Sequence, residues 1–200
     1  MSSSDLIRWA GLAAILAGVL LVVGDLLDLA IGFSDEPFSE VATTGTHALQ
    51  SWIRLIGAVL LLIGLVGLYA RQSEAAGPLG LAGYLVAFLG TALVMGFFWA
   101  ILFLTPTLAV EAPVLLDEGP PPGFFLTLIT FTVGWLVFGV ATLLARVYPR
   151  IAAIVLIIGA VLAILPLPFT TIVLAIAVAW LGFALITGRE ASTEQPSRVS

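Results

Sequence analysis

Thr46-His-Ala-Leu-Gln-Ser-Trp-Ile-Arg54 runs without a break into Leu55-Ile-Gly-Ala-Val-Leu-Leu-Leu-Ile-Gly-Leu-Val-Gly-Leu-Tyr-Ala70. This joining of a polar entry to a long uncharged apolar run decides the fold. A helix rises about 1.5 Å per residue, so His47–Ala70 is long enough to cross a hydrocarbon layer about 30 Å thick. The stretch holds the only His of the chain and the only Arg inside an apolar run. Every other Arg sits at the edge of such a run or beyond it.

The rest of the composition agrees with this reading. Of 200 residues, 61% are apolar and 10% charged, and the mean hydropathy is +1.21. A soluble domain of this size cannot hide so much apolar surface, whereas a bilayer solvates it. There is no Lys and no Cys, which excludes disulfides and thiolate metal sites. A single His argues against zinc sites built on several imidazoles. A net charge of −5 is the wrong sign for a nucleic-acid partner. No cofactor is expected.

Working outward, apolar runs recur on both sides. Upstream, 6–30 is too long for the core of a signal peptide and reads as a retained first helix. Gly11, Gly18, Asp25 and Gly32 recur in it every seven residues, a stripe that stays on one helix face and suits close, left-handed packing. The second span, 47–70, has its own stripe of Gln50, Gly57 and Gly64. A basic turn, Arg71–Gly77, leads into a third span, 78–104, where Gly83 and Gly90 repeat the spacing. A loop follows with Glu111, Asp117, Glu118 and three consecutive Pro, and its 108–116 part suits a short interfacial helix. The fourth span is 124–146, with Thr127, Thr130 and Gly134 on one face. The fifth, 149–165, is short for a crossing. A tight turn at Pro166-Leu-Pro168 precedes the sixth, 169–187. Residues 188–200 form a polar tail expected to be disordered. The expected fold is all-α: one domain over 1–187, an integral membrane bundle of six transmembrane helices.

Placing both termini in the cytoplasm puts Arg8, Arg71, Arg146, Arg150, Arg189 and Arg198 on the inner side and leaves the two long outer loops without a basic residue. That is the positive-inside pattern of a multi-pass plasma-membrane protein. Trp9 and Tyr69 fall at the inner interface, Trp52 and Phe124 at the outer one.

Counting inward from that interface brings two charges level. Asp25 lies 17 residues after Arg8, and Arg54 lies 17 residues before Arg71. Both are therefore roughly 25 Å from the inner edge of the apolar core, which predicts an Asp25–Arg54 ion pair between consecutive helices. Asp28, one turn further out, is placed to meet His47. On the second span, His47, Gln50, Ser51 and Arg54 form one polar stripe. Two readings stay open. In the first, the stripe is a paired, snorkelling set that docks two helices of a structural or accessory membrane subunit. In the second it is an outward-facing pocket of a small transporter or a lipid- or anion-binding protein. Arg54 then holds an anionic group, with His47, Gln50, Asp25 and Asp28 beside it and Thr127 and Thr130 completing the wall. A cavity reaching Arg54 separates the two. The partners expected are the bilayer, a second copy or another membrane protein and, on the second reading, a small anionic ligand or lipid.

Enzymatic readings have less support. A Ser–His–carboxylate set drawn from Ser39 or Ser51, His47 and Asp25 or Asp28 has no nucleophile motif, and the Ser51–His47 spacing comes free with any helix.

His47 to about Leu104, above all Gly67-Leu-Tyr-Ala-Arg71 and Gly80-Leu-Ala-Gly-Tyr-Leu-Val-Ala-Phe-Leu-Gly-Thr91, resembles a broad set of small bacterial six-span membrane proteins. The resemblance implies the membrane fold and carries no activity with it.

Overall fold

The computed structural model describes residues 3–31, 36–165 and 169–188, and every regular element among them is a helix. In chain order these are α1 (Ser3–Ile31), α2 (Phe38–Val41), α3 (Gly45–Phe103), α4 (Thr105–Glu111), α5 (Val114–Asp117), α6 (Pro122–Ala145), α7 (Arg150–Leu162) and α8 (Ile172–Thr187). Three of them are long and apolar enough to cross a membrane: α1 over Asp5–Leu27, α3 and α6. The apolar α7 and α8 are shorter.

At 59 residues, α3 is not straight. Gly77 breaks it at φ 55°, ψ −154°, and Pro78 follows. A positive φ suits glycine, and proline brings no N–H to the ladder. Past the break the chain doubles back. Trp52 meets Phe103 with ring centroids 5.7 Å apart, and Tyr69 stacks on Tyr84 at 4.3 Å. Numbers fall on one arm as they rise on the other, so the arms are antiparallel. The expected spans 47–70 and 78–104 are thus two arms of one hairpin. The turn expected over Arg71–Gly77 is corrected: it stays helical up to the break. Its Gln, Glu and Ala residues are good helix formers, and the ladder runs until glycine ends it.

Other ends move by a few residues. α6 begins at Pro122, because proline fits the first helical position. α7 and α8 stop short of 165 and 169, where Phe169 has φ 67°. The single interfacial helix expected over 108–116 is two pieces, α4 and α5. Ala112, at φ −150° and ψ 60° before Pro113, leaves the helical region as residues preceding proline do. Gly32, the 166–168 turn and the tail beyond 188 lie outside the described residues.

The glycine stripes are where the helices touch. A Cβ on Gly18 of α1 would stand 2.5 Å from the Ala175 carbonyl oxygen of α8. On the first arm of α3, Gly57 and Gly64 lie against Leu20 and Ala14 of α1. On the second arm, Gly83 and Gly90 lie against Phe138 and Phe131 of α6, and Gly139 of α6 meets Ile157 of α7. Gly159 of α7 packs on Leu174 of α8. Each apolar segment runs antiparallel to the one before it, and α8 returns to α1. The six segments make a closed ring, filled by buried Leu61, Leu65, Leu68, Trp135, Phe138, Leu156 and Leu181. The Trp135 indole N–H donates to Thr91 Oγ1 at 3.0 Å, and that hydroxyl donates to the Ala87 carbonyl at 2.7 Å. Outward residues such as Leu16, Leu85, Ile129 and Phe183 remain exposed, an apolar mantle of the kind that lipid covers.

One end of the ring is tied by Arg71. Its Nη1 donates to the carbonyls of Ala184 (3.3 Å) and Leu185 (3.1 Å) in the last turn of α8. The Ala184 carbonyl also accepts from the capping Gly188 N–H at 3.0 Å, and both carbonyls lie at the negative end of the helix dipole. Arg71 also lies over the Tyr148 ring at 5.7 Å, and Tyr148 Oη donates to the Leu68 carbonyl at 3.0 Å. Beside them Gln72 is wholly buried, with neither amide atom hydrogen-bonded among the described residues. Burial pushes the Tyr148 phenol far above its ordinary value of 10.0, with Arg71 opposing weakly. The folded state thus keeps a proton that the unfolded chain loses near pH 10. Stability should be level below that pH and fall above it by about 1.4 kcal/mol per pH unit for this one group. Alkaline denaturation of the wild type beside Tyr148→Phe checks this. The variant should lack that part of the slope, and equal slopes would mean that Tyr148 is not the group responsible.

Candidate functional site

At the opposite end of the ring, the two charges counted as level do meet. Arg54 Nη2 lies 3.2 Å from Asp25 Oδ1. Asp25 is 5% exposed, and the Arg54 side chain 19%. The second carboxylate oxygen, Oδ2, accepts a hydrogen bond from Thr171 Oγ1 at 2.5 Å. Both oxygens of the buried acid are thus held, as a charge this far from water requires. Arg54 Cζ lies 5.4 Å from the centroid of Phe98, within range of a cation–π contact. Three elements therefore converge on one carboxylate: α1 carries it, α3 brings the cation, and Thr171, just before α8, brings the hydroxyl.

Close packing sets this geometry. Gly24, next to Asp25, lets the Arg54 stem lie against the backbone of α1: an added Cβ would be 2.9 Å from Arg54 Cγ. One turn along, buried Gln50 donates through Nε2 to the Gly24 carbonyl at 3.4 Å. Gln50 is thus a rivet between α1 and α3. Ser51 Oγ donates to the His47 carbonyl at 2.8 Å, a back-bond common for serine on a helix. The His47 ring meets Phe38 edge-on at 5.6 Å, and its backbone N–H is capped by Thr44 Oγ1 at 3.3 Å. Asp28 lies on α1, but its side chain falls outside the described set, so its pairing with His47 is not on view.

Behind the ion pair lies a partly enclosed cavity of about 410 Å³. α1, both arms of α3, α6, α8 and the residues just after α7 contribute to its wall. Arg54, Asp25, Thr127, Thr170 and Thr171 supply the polar groups; Ala58, Leu61, Phe97, Phe124, Phe131 and Leu174 are among the apolar ones. The volume falls within the range of small-molecule pockets, as does a mostly apolar lining with a few convergent polar groups. Thr127 is on the wall, as the sequence suggested, though its hydroxyl donates to the Gly123 carbonyl at 2.9 Å. Thr130 is not part of the wall. It back-bonds to Leu126 at 2.8 Å, and its backbone packs on Gly90. At this same end, Ser39 ties the first long loop to the second: its N–H and Oγ donate to the two Asp117 carboxylate oxygens at 3.0 and 2.9 Å.

Sequence reasoning missed Thr170, Thr171 and the Phe97–Phe98 pair. The available signal was depth. Two threonines stand at the start of the last apolar run, at the end of the ring where Asp25 lies. Among the described residues no cluster of three or more His, Asp or Glu is placed to hold a metal ion. No family model, curated protein or solved structure matches the chain, so its site is read from its own chemistry.

Proposed function

We propose that the chain is a multi-pass protein of a bacterial-type plasma membrane that binds a small ligand in the cavity beside Arg54. The observation that carries this reading is that the intramembrane charge pair forms one wall of a 410 Å³ space instead of being sealed on all sides. We further propose six crossings with both termini cytoplasmic. In support, the ring segments alternate in direction. Arg8, Arg71, Arg146 and Arg150 gather at the end away from the cavity, as the positive-inside pattern expects. The 13 residues of α7 and 16 of α8 reach only ~20 and ~24 Å, so these two crossings rely on flanking residues and local bilayer thinning. A structural or accessory role is the second reading, favoured by the Asp25–Arg54–Thr171 network, which by itself ties three segments together.

Native mass spectrometry of gently extracted protein, wild type beside Ala58→Phe, tests the binding reading. Ala58 is 1% exposed and lines the cavity, so phenylalanine there fills the space while leaving the ion pair intact. A small adduct kept by the wild type and lost in the variant supports a ligand site; identical spectra support the structural role. The orientation is checked in the same Cys-free chain with Thr43→Cys and Ser73→Cys. A membrane-impermeant maleimide should label the first in intact cells and the second only after permeabilisation.

A further inference from the structure

We infer that the occupant of this cavity is a single-chain amphiphile with an anionic oxyacid head, either a carboxylate or a phosphate monoester. This rests on the cavity being a ligand site, as proposed above.

The polarity of the cavity runs in one direction. Asp25, Arg54, Thr170 and Thr171 gather at one part of the wall beside Phe98 and Leu165, and the further lining residues Leu61, Phe131 and Leu174 are all apolar. From Thr171 to Leu174 is three residues of helix and from Arg54 to Leu61 seven, so the apolar part is about 5–10 Å deep. A cavity of this length and volume accepts one medium alkyl chain and has no room for a two-chain lipid. Its floor is the closed core of the ring, where Leu61 and Leu174 are 1% and 0% exposed.

The sign of the head follows from how the pair is held. Both Asp25 oxygens are already engaged, one by Arg54 and one by Thr171, so the acid is poorly placed to recognise a cation. A guanidinium carries five N–H donors in a fork that serves more than one acceptor and matches carboxylate and phosphate geometry. The Thr170 hydroxyl, which donates to the Leu165 carbonyl at 3.1 Å, stands on the same part of the wall and keeps an oxygen lone pair but no second proton for a ligand. An oxyacid head at Arg54 shares the cation with Asp25, and its chain follows the apolar wall inward. Such a molecule arrives from the outer leaflet in the orientation that the cavity requires.

The test uses the full chain in a neutral maltoside detergent, titrated with decanoate, decyl phosphate, decyltrimethylammonium, decanol and inorganic phosphate. Decanoate and decyl phosphate should both bind, and the cationic and neutral chains should bind about tenfold more weakly or worse. Inorganic phosphate alone should not compete. Ala58→Phe should abolish binding of the two anionic amphiphiles without lowering the melting temperature. Asp25→Asn/Arg54→Gln, which keeps hydrogen-bonding groups without the charges, should erase the preference for an anionic head. Equal binding of all the ten-carbon chains, or tighter binding of the cationic one, overturns the head-group assignment and leaves the cavity a ligand site. Inorganic phosphate binding as tightly as decyl phosphate overturns the amphiphile in favour of a soluble anion. If no probe binds and Ala58→Phe changes nothing, the ligand-site reading itself falls.

Discussion

Replacing Arg54 by Leu should lower the stability of the detergent-solubilised protein by about 3 kcal/mol, the low end for a buried pair because the Arg54 side chain retains some exposure. Removing the cation strands a carboxylate that is 5% exposed, with the Thr171 hydroxyl still donating to it. Thr171 supplies a neutral hydrogen bond and cannot offset an uncompensated charge in an apolar surround. Pairing Arg54→Leu with Asp25→Asn removes that charge, and most of the loss should return. A double-mutant cycle read by thermal unfolding gives the coupling directly. Additive single losses would show that the two residues do not depend on each other and would undo the ion-pair assignment.

An effect at least as large is expected where the second arm of α3 meets α6. Gly134 packs on the backbone of Ala87, whose Cα would lie 2.5 Å from an added Cβ; across the same seam Gly90 would place one 2.5 Å from Phe131 Cα. The obstacle in both cases is main chain, which cannot swing aside. Gly134→Leu should therefore force the helices apart and prevent recovery of folded protein, and Gly134→Ala should cost about 2–3 kcal/mol as an overpacked contact. Gly96 is the control. It sits on the same arm with nothing within 4 Å of an added Cβ, so Gly96→Ala should be neutral or stabilising by up to ~1 kcal/mol through helix propensity. Size-exclusion profiles after graded heating distinguish these outcomes, and similar tolerance at Gly134 and Gly96 would contradict the close approach.

These two regions were not equally legible in the sequence. The seam was, because a glycine every seven residues is a periodic signal and periodicity survives in a one-dimensional string. The level placement of Asp25 and Arg54 was legible too, since helical rise converts a residue count into depth. The break in α3 was misjudged because polarity at Arg71–Glu74 looked like a turn, whereas backbone geometry, decided by Gly77 and Pro78, sets where a helix ends. Thr171 was not legible at all. It reaches Asp25 across 146 residues of chain, and nothing in the string announces that the last helix returns to the first. The cavity was equally hidden: it exists because the side chains facing it from six segments do not quite meet, a property of their joint volumes and of no single stretch. Thr127 and Thr130 make the same point, since one shares the wall and the other, three residues along, packs on the neighbouring arm.

The closure of α8 on α1 also sets an order of events during synthesis. α1 is made before α8, yet Gly11 and Gly18 on its packing face meet α8 only once Gly182 and Ala175 have been translated. Until α8 emerges, this small-residue groove is open to whatever lies beside it, and Asp25 has Arg54 but not Thr171. The wall of the cavity is completed by α8, which is made after the other segments that line it. A chain truncated before α8 therefore retains its charge pair and its hairpin while having no enclosed space beside them.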